Sequence, residues 1–267
     1  MRFVHVALSS ALAVGCLLLT TGAVAASSGP FASGSVVTHA PRIGLKPGES
    51  VTGSGYGWAS SNWSGYALSG SAGQYNSITG HWIVPEVQPS AGPTFSSSWL
   101  GIDGFNNTNL IQTGTEQDYY NGAAHYDAWW EILPAAETVI PGMTVMPGDH
   151  MSAAITNDGN GDWTITISDL TRNETFTTTQ AYSGPAESAE WIQEAPTIGG
   201  HVATLANYGQ TTFSAGTVNG TKPGLVMSDG GVMIQHRRQV STPSAPDRNK
   251  DGFNVAYGSA TPSAPTA

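Results

Sequence analysis

The sequence predicts an all-β domain of antiparallel strands, a sandwich or a barrel, from three observations. Between Asn62 and His236 short apolar runs recur roughly every ten residues, separated by Gly, Pro, Asn and Asp clusters such as Asn157-Asp158-Gly159-Asn160-Gly161. Trp163-Thr164-Ile165-Thr166-Ile167 alternates with period two and is rich in β-branched residues. No stretch sustains a 3.6-residue apolar stripe over three turns, and about a dozen strands without crossover helices must pair antiparallel.

At the start of the chain, Met1-Arg2, an apolar run from Val4 to Leu19 and then Ala23-Val24-Ala25 read as the charged, apolar and cleavage regions of a signal peptide covering residues 1–25. Export to the extracellular space is expected, with no membrane anchor. The single cysteine, Cys16, falls inside that signal, so the mature protein has no disulfide and relies on core burial. Residues 26–55 are rich in Ser, Gly and Pro and carry His39, Arg42 and Lys46; they read as a pro-segment or a linker. Residues 56–236 form the expected catalytic domain. Residues 237–267, rich in Ser, Thr, Pro and Ala, read as a flexible tail.

Three strands bring chemistry onto one face. Side chains two apart share a side of a strand. Leu110, Gln112, Gly114 and Glu116 therefore lie together, as do Asp127, Trp129 and Glu131, and so do Glu190, Ile192 and Glu194. These could be solvated outer faces. An outer face normally mixes charge signs, yet from Val51 to Thr221 there are fifteen acids and one basic residue, Arg172. Unpaired acids on an aromatic-lined face repel one another at neutral pH and are tolerated in a substrate cleft or at low pH.

Composition and motifs exclude much else. Nine Lys+Arg against 19 Asp+Glu, a net charge of -10, rules out a basic nucleic-acid surface. The chain lacks a Gly-x-Ser-x-Gly elbow, a His-Glu-x-x-His pair and the two Asp-Thr/Ser-Gly motifs of an aspartic protease. His81, His125, His150, His201 and His236 are scattered singly and read as ordinary surface or core residues. Two acidic loops imitate calcium sites. Asp158-x-Asn160-x-Asp162 lacks the glycine at position six, and Asp247-x-Asn249-x-Asp251-Gly252 ends in Gly258 where a bidentate glutamate belongs, so both read as polar turns. No metal and no cofactor is expected.

Six blocks in order resemble a known signature: Asn62-Trp63-Ser64-Gly65, His81-Trp82-Ile83-Val84-Pro85, Ser98-Trp99-Leu100-Gly101-Ile102-Asp103-Gly104, Leu110-Ile111-Gln112-Thr113-Gly114, Tyr126-Asp127-Ala128-Trp129-Trp130-Glu131 and Ala189-Glu190-Trp191-Ile192-Gln193-Glu194. The chain resembles the glutamic peptidases, or eqolisins, the acid endopeptidases of peptidase family G1, from about Asn62 to Phe213. The resemblance implies an antiparallel two-sheet β-sandwich, concanavalin-like and of the jelly-roll kind. It implies a catalytic pair, Gln112 and Glu194, with Trp63, Gly65, Ser97, Trp99, Asp103, Gly104 and Trp129 binding substrate and Glu116, Asp127 and Glu131 as a supporting polar shell. It departs from the pattern at Glu116, where the family commonly has Asp, and at Pro196, where an aromatic residue is usual; the cysteines of many relatives are missing.

In such a pair the glutamate takes a proton from water, the glutamine amide donates to the oxyanion, and the protonated glutamate delivers its proton to the leaving nitrogen. Since a glutamine does not titrate and a glutamate's reference pKa is near 4.3, activity on the acid side of neutrality is expected. The resemblance implies polypeptide substrates, and a monomer is expected. Two rival readings remain: a secreted jelly-roll glycoside hydrolase using two carboxylates such as Glu131 and Glu194, and a non-catalytic carbohydrate-binding module whose tryptophans stack on the ligand.

Overall fold

In the computed structural model residues 37–45 and 55–266 are described, and they belong to one compact unit. The expected signal peptide lies outside the described residues. The alternating segments form strands: β1 (Val37–Thr38), β2 (Trp58–Ser60), β3 (Trp63–Ser69), β4 (Ser77–Ile83), β5 (Ser97–Ile102), β6 (Ile111–Tyr120), β7 (Ala123–Ile132), β8 (Thr138–Val139), β9 (His150–Gly159), β10 (Asp162–Asp169), β11 (Glu174–Ala181), β12 (Ser188–Glu194), β13 (Thr197–Ile198), β14 (His201–Val202), β15 (Gln210–Val218), β16 (Gly230–Gln235), β17 (Arg238–Pro243) and β18 (Phe253–Tyr257). Among the described residues no helix is long and apolar enough to cross a membrane.

The main ladder runs β11-β10-β9-β4-β15-β18-β17-β16-β3-β12-β5-β6-β7-β8, antiparallel throughout, with β2 added parallel on β16. It folds over on itself into two layers. Trp82 Nε1 on β4 donates to Thr115 Oγ1 on β6 at 3.0 Å, and Trp191 Nε1 on β12 donates to Thr79 O on β4 at 2.9 Å. Between the layers lies a core that includes Ile78, Leu100, Ile111, Ile155 and Ile165. The protein is thus the antiparallel β-sandwich the sequence implied.

Local chemistry sets the turns and the outer surface. The β9–β10 turn uses Asn160 (φ 57°) and Gly161 (φ 89°), the left-handed pair that a two-residue hairpin of the favoured twist requires. On β10 and β11 hydroxyls pair across strands, Thr164 with Thr179 at 2.8 Å, Thr166 with Thr177 at 3.2 Å and Ser168 with Thr175 at 2.9 Å. Such pairs occupy a solvent-facing sheet without charge, which explains a chain so poor in Lys and Arg.

A second apolar cluster sits on the opposite face of the β3-β12-β5-β6-β7 half. It joins Trp63 (β3), Ile192 (β12), Trp99 (β5) and Trp129 (β7), with Leu110 just before β6. Strand alternation makes this possible, because Leu100, Ile111, Ala128 and Trp191 turn their side chains to the inter-layer core instead. Close strand approach also needs Gly114, where a β-carbon would come within 2.4 Å of the Ser98 carbonyl.

One expectation is corrected here. The described residues of the expected flexible tail, 237–267, are built into the fold: β17 pairs with β16 and β18, and β18 pairs with β15. Phe253 is 1% exposed and stacks on Phe213 at 5.1 Å. The Ser/Thr-rich composition misled because its hydroxyls are buried and bonded, as in Tyr208 OH with Ser241 Oγ at 2.6 Å. The folded domain therefore extends past 236.

Candidate active site

The second apolar cluster floors a groove, and the polar residues of the same strand face rise from it. In β6 and β7 Gln112 stands directly opposite Glu131, and Glu116 opposite Asp127. Gln112 Nε2 donates to Glu131 Oε2 at 2.6 Å, while Gln112 Oε1 is buried with no hydrogen-bond partner. Glu194 ends β12, flanked by Trp63 on β3 and Ser97 on β5. Trp99 Nε1 donates to Glu194 Oε2 at 2.8 Å, Trp129 Nε1 donates to Ser97 Oγ at 3.2 Å, and Trp63 sits edge-on to Trp99 with centroids 4.9 Å apart. Gln112, Glu131 and Glu194 are fully buried.

The groove holds part of the chain itself. Thr38 pairs with Thr197 on β13, and beyond it the His39 ring stacks on Trp129 at 3.7 Å and 15°. His39 Nδ1 lies 2.9 Å from Glu194 Oε2, and Nε2 lies 3.1 Å from Glu116 Oε1 and 3.2 Å from Glu137 Oε2. The backbone joins in: His39 N donates to Glu131 Oε2 at 3.2 Å and Ala40 N to Glu194 Oε1 at 3.2 Å. Farther along, Arg42 N donates to the Gly104 carbonyl at 2.9 Å, and the Arg42 guanidinium lies 4.4 Å over the Phe105 ring. Asn62 stitches segment and site together, since its Nδ2 reaches Ala40 O, Pro41 O and Glu194 Oε1 and its Oδ1 accepts from Ile43 N at 2.8 Å.

The electrostatics follow from burial. Burial pushes the Glu116 carboxyl up to about 7, against the opposing pull of His39, and pushes Glu131 up to about 8. Burial raises Asp127 as well, reinforced by Glu137 and Glu116. For His39 burial works against the charged form, but attraction to Glu194 and hydrogen bonds that the ring donates to Glu116, Glu137 and Glu194 outweigh it and hold its pKa well above the ordinary value.

Two residues of the expected set stand slightly apart. Asp103 is buried with φ 74°, and its carboxylate accepts from Tyr182 OH at 2.6 Å, Ala186 N at 2.8 Å and Glu187 N at 3.0 Å. It therefore anchors the loop from which Gly104 meets the segment. Gly65 (φ 143°) lies under the groove where β3 and β12 touch, and a β-carbon there would be 2.3 Å from the Trp191 carbonyl. Glu190 occupies the far end of the same face, fully buried, and burial raises its pKa against the pull of the Ser188 hydroxyl.

The model of the Peptidase A4 family matches residues 61–257. The chain belongs to the Peptidase A4 family. Aspergillopepsin-2 of Aspergillus niger is 30% identical over 213 residues, 66% of this chain and 73% of that protein. Scytalidopepsin B of Scytalidium lignicola is 30% identical over 115 residues, 43% of this chain and 42% of that protein. Among solved structures, scytalido-glutamic peptidase with a transition-state analogue superposes with a TM-score of 0.63 at 22% identity, over 74% of this chain and 98% of the other. Aspergilloglutamic peptidase from Aspergillus niger gives 0.50 at 28% identity, over 61% and 99%. This Peptidase A4 chain is accordingly a peptidase of the glutamic, or eqolisin, class, and the carbohydrate readings fall away.

Sequence reasoning missed three residues of the Peptidase A4 groove. Asn62 stood in the first motif block, and its polar side chain ahead of Trp63 was the available signal. Glu137 lies in a loop with no distinguishing pattern. His39 showed only as one of few basic residues in a Ser/Gly/Pro-rich stretch, and its place among carboxylates depends on tertiary structure.

Proposed function

We propose that the protein is a secreted acid endopeptidase in which Gln112 and Glu194 form the catalytic pair and the segment around His39 is an inhibitory pro-segment. The observation that carries this is the Glu194 carboxylate, which accepts from His39 Nδ1, Trp99 Nε1, Ala40 N and Asn62 Nδ2. A carboxylate has about four acceptor positions. Two of them here are taken by the segment, so its departure frees the acceptors a base needs.

With the segment gone, ionised Glu194 takes a proton from a water that attacks the scissile carbonyl carbon, with no acyl-enzyme. Gln112 suits the complementary role. One Nε2 hydrogen is committed to Glu131, the other is available to the developing oxyanion, and the unpartnered Oε1 is available to a hydrogen of the water. Such an oxyanion donor is typically worth about 3 kcal/mol, a hundredfold or more in rate. The tetrahedral intermediate then collapses, the C–N bond breaks, and protonated Glu194 gives its proton to the departing nitrogen. Trp63, Gly65, Ser97, Trp99, Gly104 and Trp129 form the substrate groove, with Asp103 behind Gly104, and Glu116, Asp127 and Glu131 form the polar surround.

Digestion of denatured casein at pH 3 to 5, with and without pepstatin, tests the reading. Proteolysis that pepstatin leaves intact is expected. Absence of proteolysis in this range, or full inhibition by pepstatin, would refute it.

A further inference from the structure

The sequence carries no metal-binding motif, yet folding assembles a set of donors from three distant places. His39 comes from the segment in the groove, Glu116 from β6, and Glu137 from the position just before β8. His39 Nε2 lies 3.1 Å from Glu116 Oε1 and 3.2 Å from Glu137 Oε2, and one donor atom of each residue lies within 4.8 Å of the other two. Two ligands of a tetrahedral zinc ion, each about 2.0–2.1 Å from the metal, are about 3.3 Å apart. The donors are therefore spaced to share a cation. His39 is also held as a metal-bound histidine is held: Nδ1 donates to Glu194 Oε2 at 2.9 Å, which turns Nε2 toward the two glutamates, and Trp129 covers the ring face at 3.7 Å. Asp127, opposite Glu116 on β7, keeps Oδ1 buried without a hydrogen-bond partner and lies close enough to Glu137, Glu116 and His39 to feel their charges. It stands beside the remaining coordination position. A proton on Nε2 meets these carboxyl groups with one positive charge; a divalent cation in its place brings two.

We infer that His39, Glu116 and Glu137 form a site for a divalent transition-metal ion, and that this ion staples the 37–45 segment into the groove. One imidazole and two carboxylates are a donor set that suits zinc. One ligand belongs to the segment and two to the body of the domain, so release of the segment must break a coordination bond. The site needs only this geometry; that holding the segment also keeps the enzyme inactive rests on the reading proposed above. Metal ligands must be deprotonated, so the ion displaces the protons that buried carboxyls otherwise keep, and the site fills at neutral rather than acid pH.

The test is calorimetric titration of zinc into the untagged full-length chain, freed of metal by EDTA and dialysis, at pH 7.5, followed by brief trypsin digestion with and without zinc. One zinc per chain is expected, with affinity at least about tenfold lower in His39→Ala and in Glu137→Gln and unchanged in His201→Ala. Trypsin reads the staple, because the bond after Arg42 enters its active site only when the segment lifts from the groove. Zinc should slow that cut severalfold in the parent and not in Glu137→Gln, while cleavage after the exposed Arg248 stays the same. Absence of one-to-one binding, binding unmoved by both His39→Ala and Glu137→Gln, or a cut after Arg42 that zinc does not slow overturns the inference and leaves the peptidase reading standing. A chain that binds zinc in this way yet cuts no casein at pH 3 to 5 refutes the peptidase reading and retains the metal site.

Discussion

Asn62 touches the proposed general base from the side opposite the indole of Trp99. Its Nδ2 lies 3.4 Å from Glu194 Oε1, and its Oδ1 accepts from Ser60 Oγ at 2.7 Å, which fixes the amide's orientation. A hydrogen bond to a charged acceptor is worth about 1.5–3 kcal/mol. Asn62→Ala should therefore lower kcat at pH 4 about tenfold to a hundredfold while Ser60→Ala, one bond further removed, lowers it less. Steady-state kinetics on casein-derived peptides decide this, and an unchanged kcat in Asn62→Ala removes the residue from the site. At this scale the sequence was legible where strand alternation speaks: Gln112, Glu116, Asp127, Trp129, Glu131 and Glu194 share one face, as period two requires. It was silent where a contact crosses from a loop, as with Glu137.

The element proposed to decide activity is the extended stretch from Val37 to Leu45. It is tied at one end by β1 to β13 and at the other by Arg42 and Ile43 to Gly104 and Asn62, with His39 between. Removing one partner of a buried ion pair typically costs about 3–5 kcal/mol. His39→Ala should weaken the segment's hold on the groove by a hundredfold or more, so that the full-length chain becomes active sooner after acidification and at higher pH than the unaltered chain. A time course of peptide cleavage across pH 3 to 7 checks this; identical activation profiles would contradict an inhibitory role. The same segment shows why composition alone is a weak guide to elements. The Ser/Gly/Pro-rich stretch reads as a pro-segment or a linker and the Ser/Thr/Pro/Ala-rich one as a tail, yet residues 37–45 of the first lie in the groove and the second supplies β17 and β18. Each owes its order to partners distant in the chain, such as Phe213 for Phe253, and these leave no local periodicity.

Over the whole molecule the acid cluster sets the pH dependence of stability. Glu116 and Glu131 rise from an ordinary 4.5 to about 7 and about 8. Between about pH 4.5 and 8 the folded protein therefore keeps protons that the unfolded chain has released, and its stability falls as pH increases. His39 acts in the same direction, since its raised pKa makes the folded state hold a proton above pH 6.5 that the unfolded chain loses. Thermal unfolding should show Tm decreasing steadily from about pH 5 to pH 8; a Tm that climbs across this window would contradict the buried, proton-holding cluster. An antiparallel all-β fold was legible from strand count, turn residues and the absence of helical periodicity, and its two-layer form from the family resemblance. The joining of both layers into one continuous ladder through β15, β18, β17 and β16 was not, because it runs through the residues whose composition resembled a tail.

The central claim is that one buried amide and one carboxylate, on β6 and β12, carry the chemistry. The most direct measurement is kcat/KM on a single peptide at pH 4 for Gln112→Ala and Glu194→Gln, alongside thermal unfolding of each. Both variants should lose activity by a hundredfold or more while unfolding cooperatively like the parent. Either one retaining activity within severalfold of the parent would contradict the account.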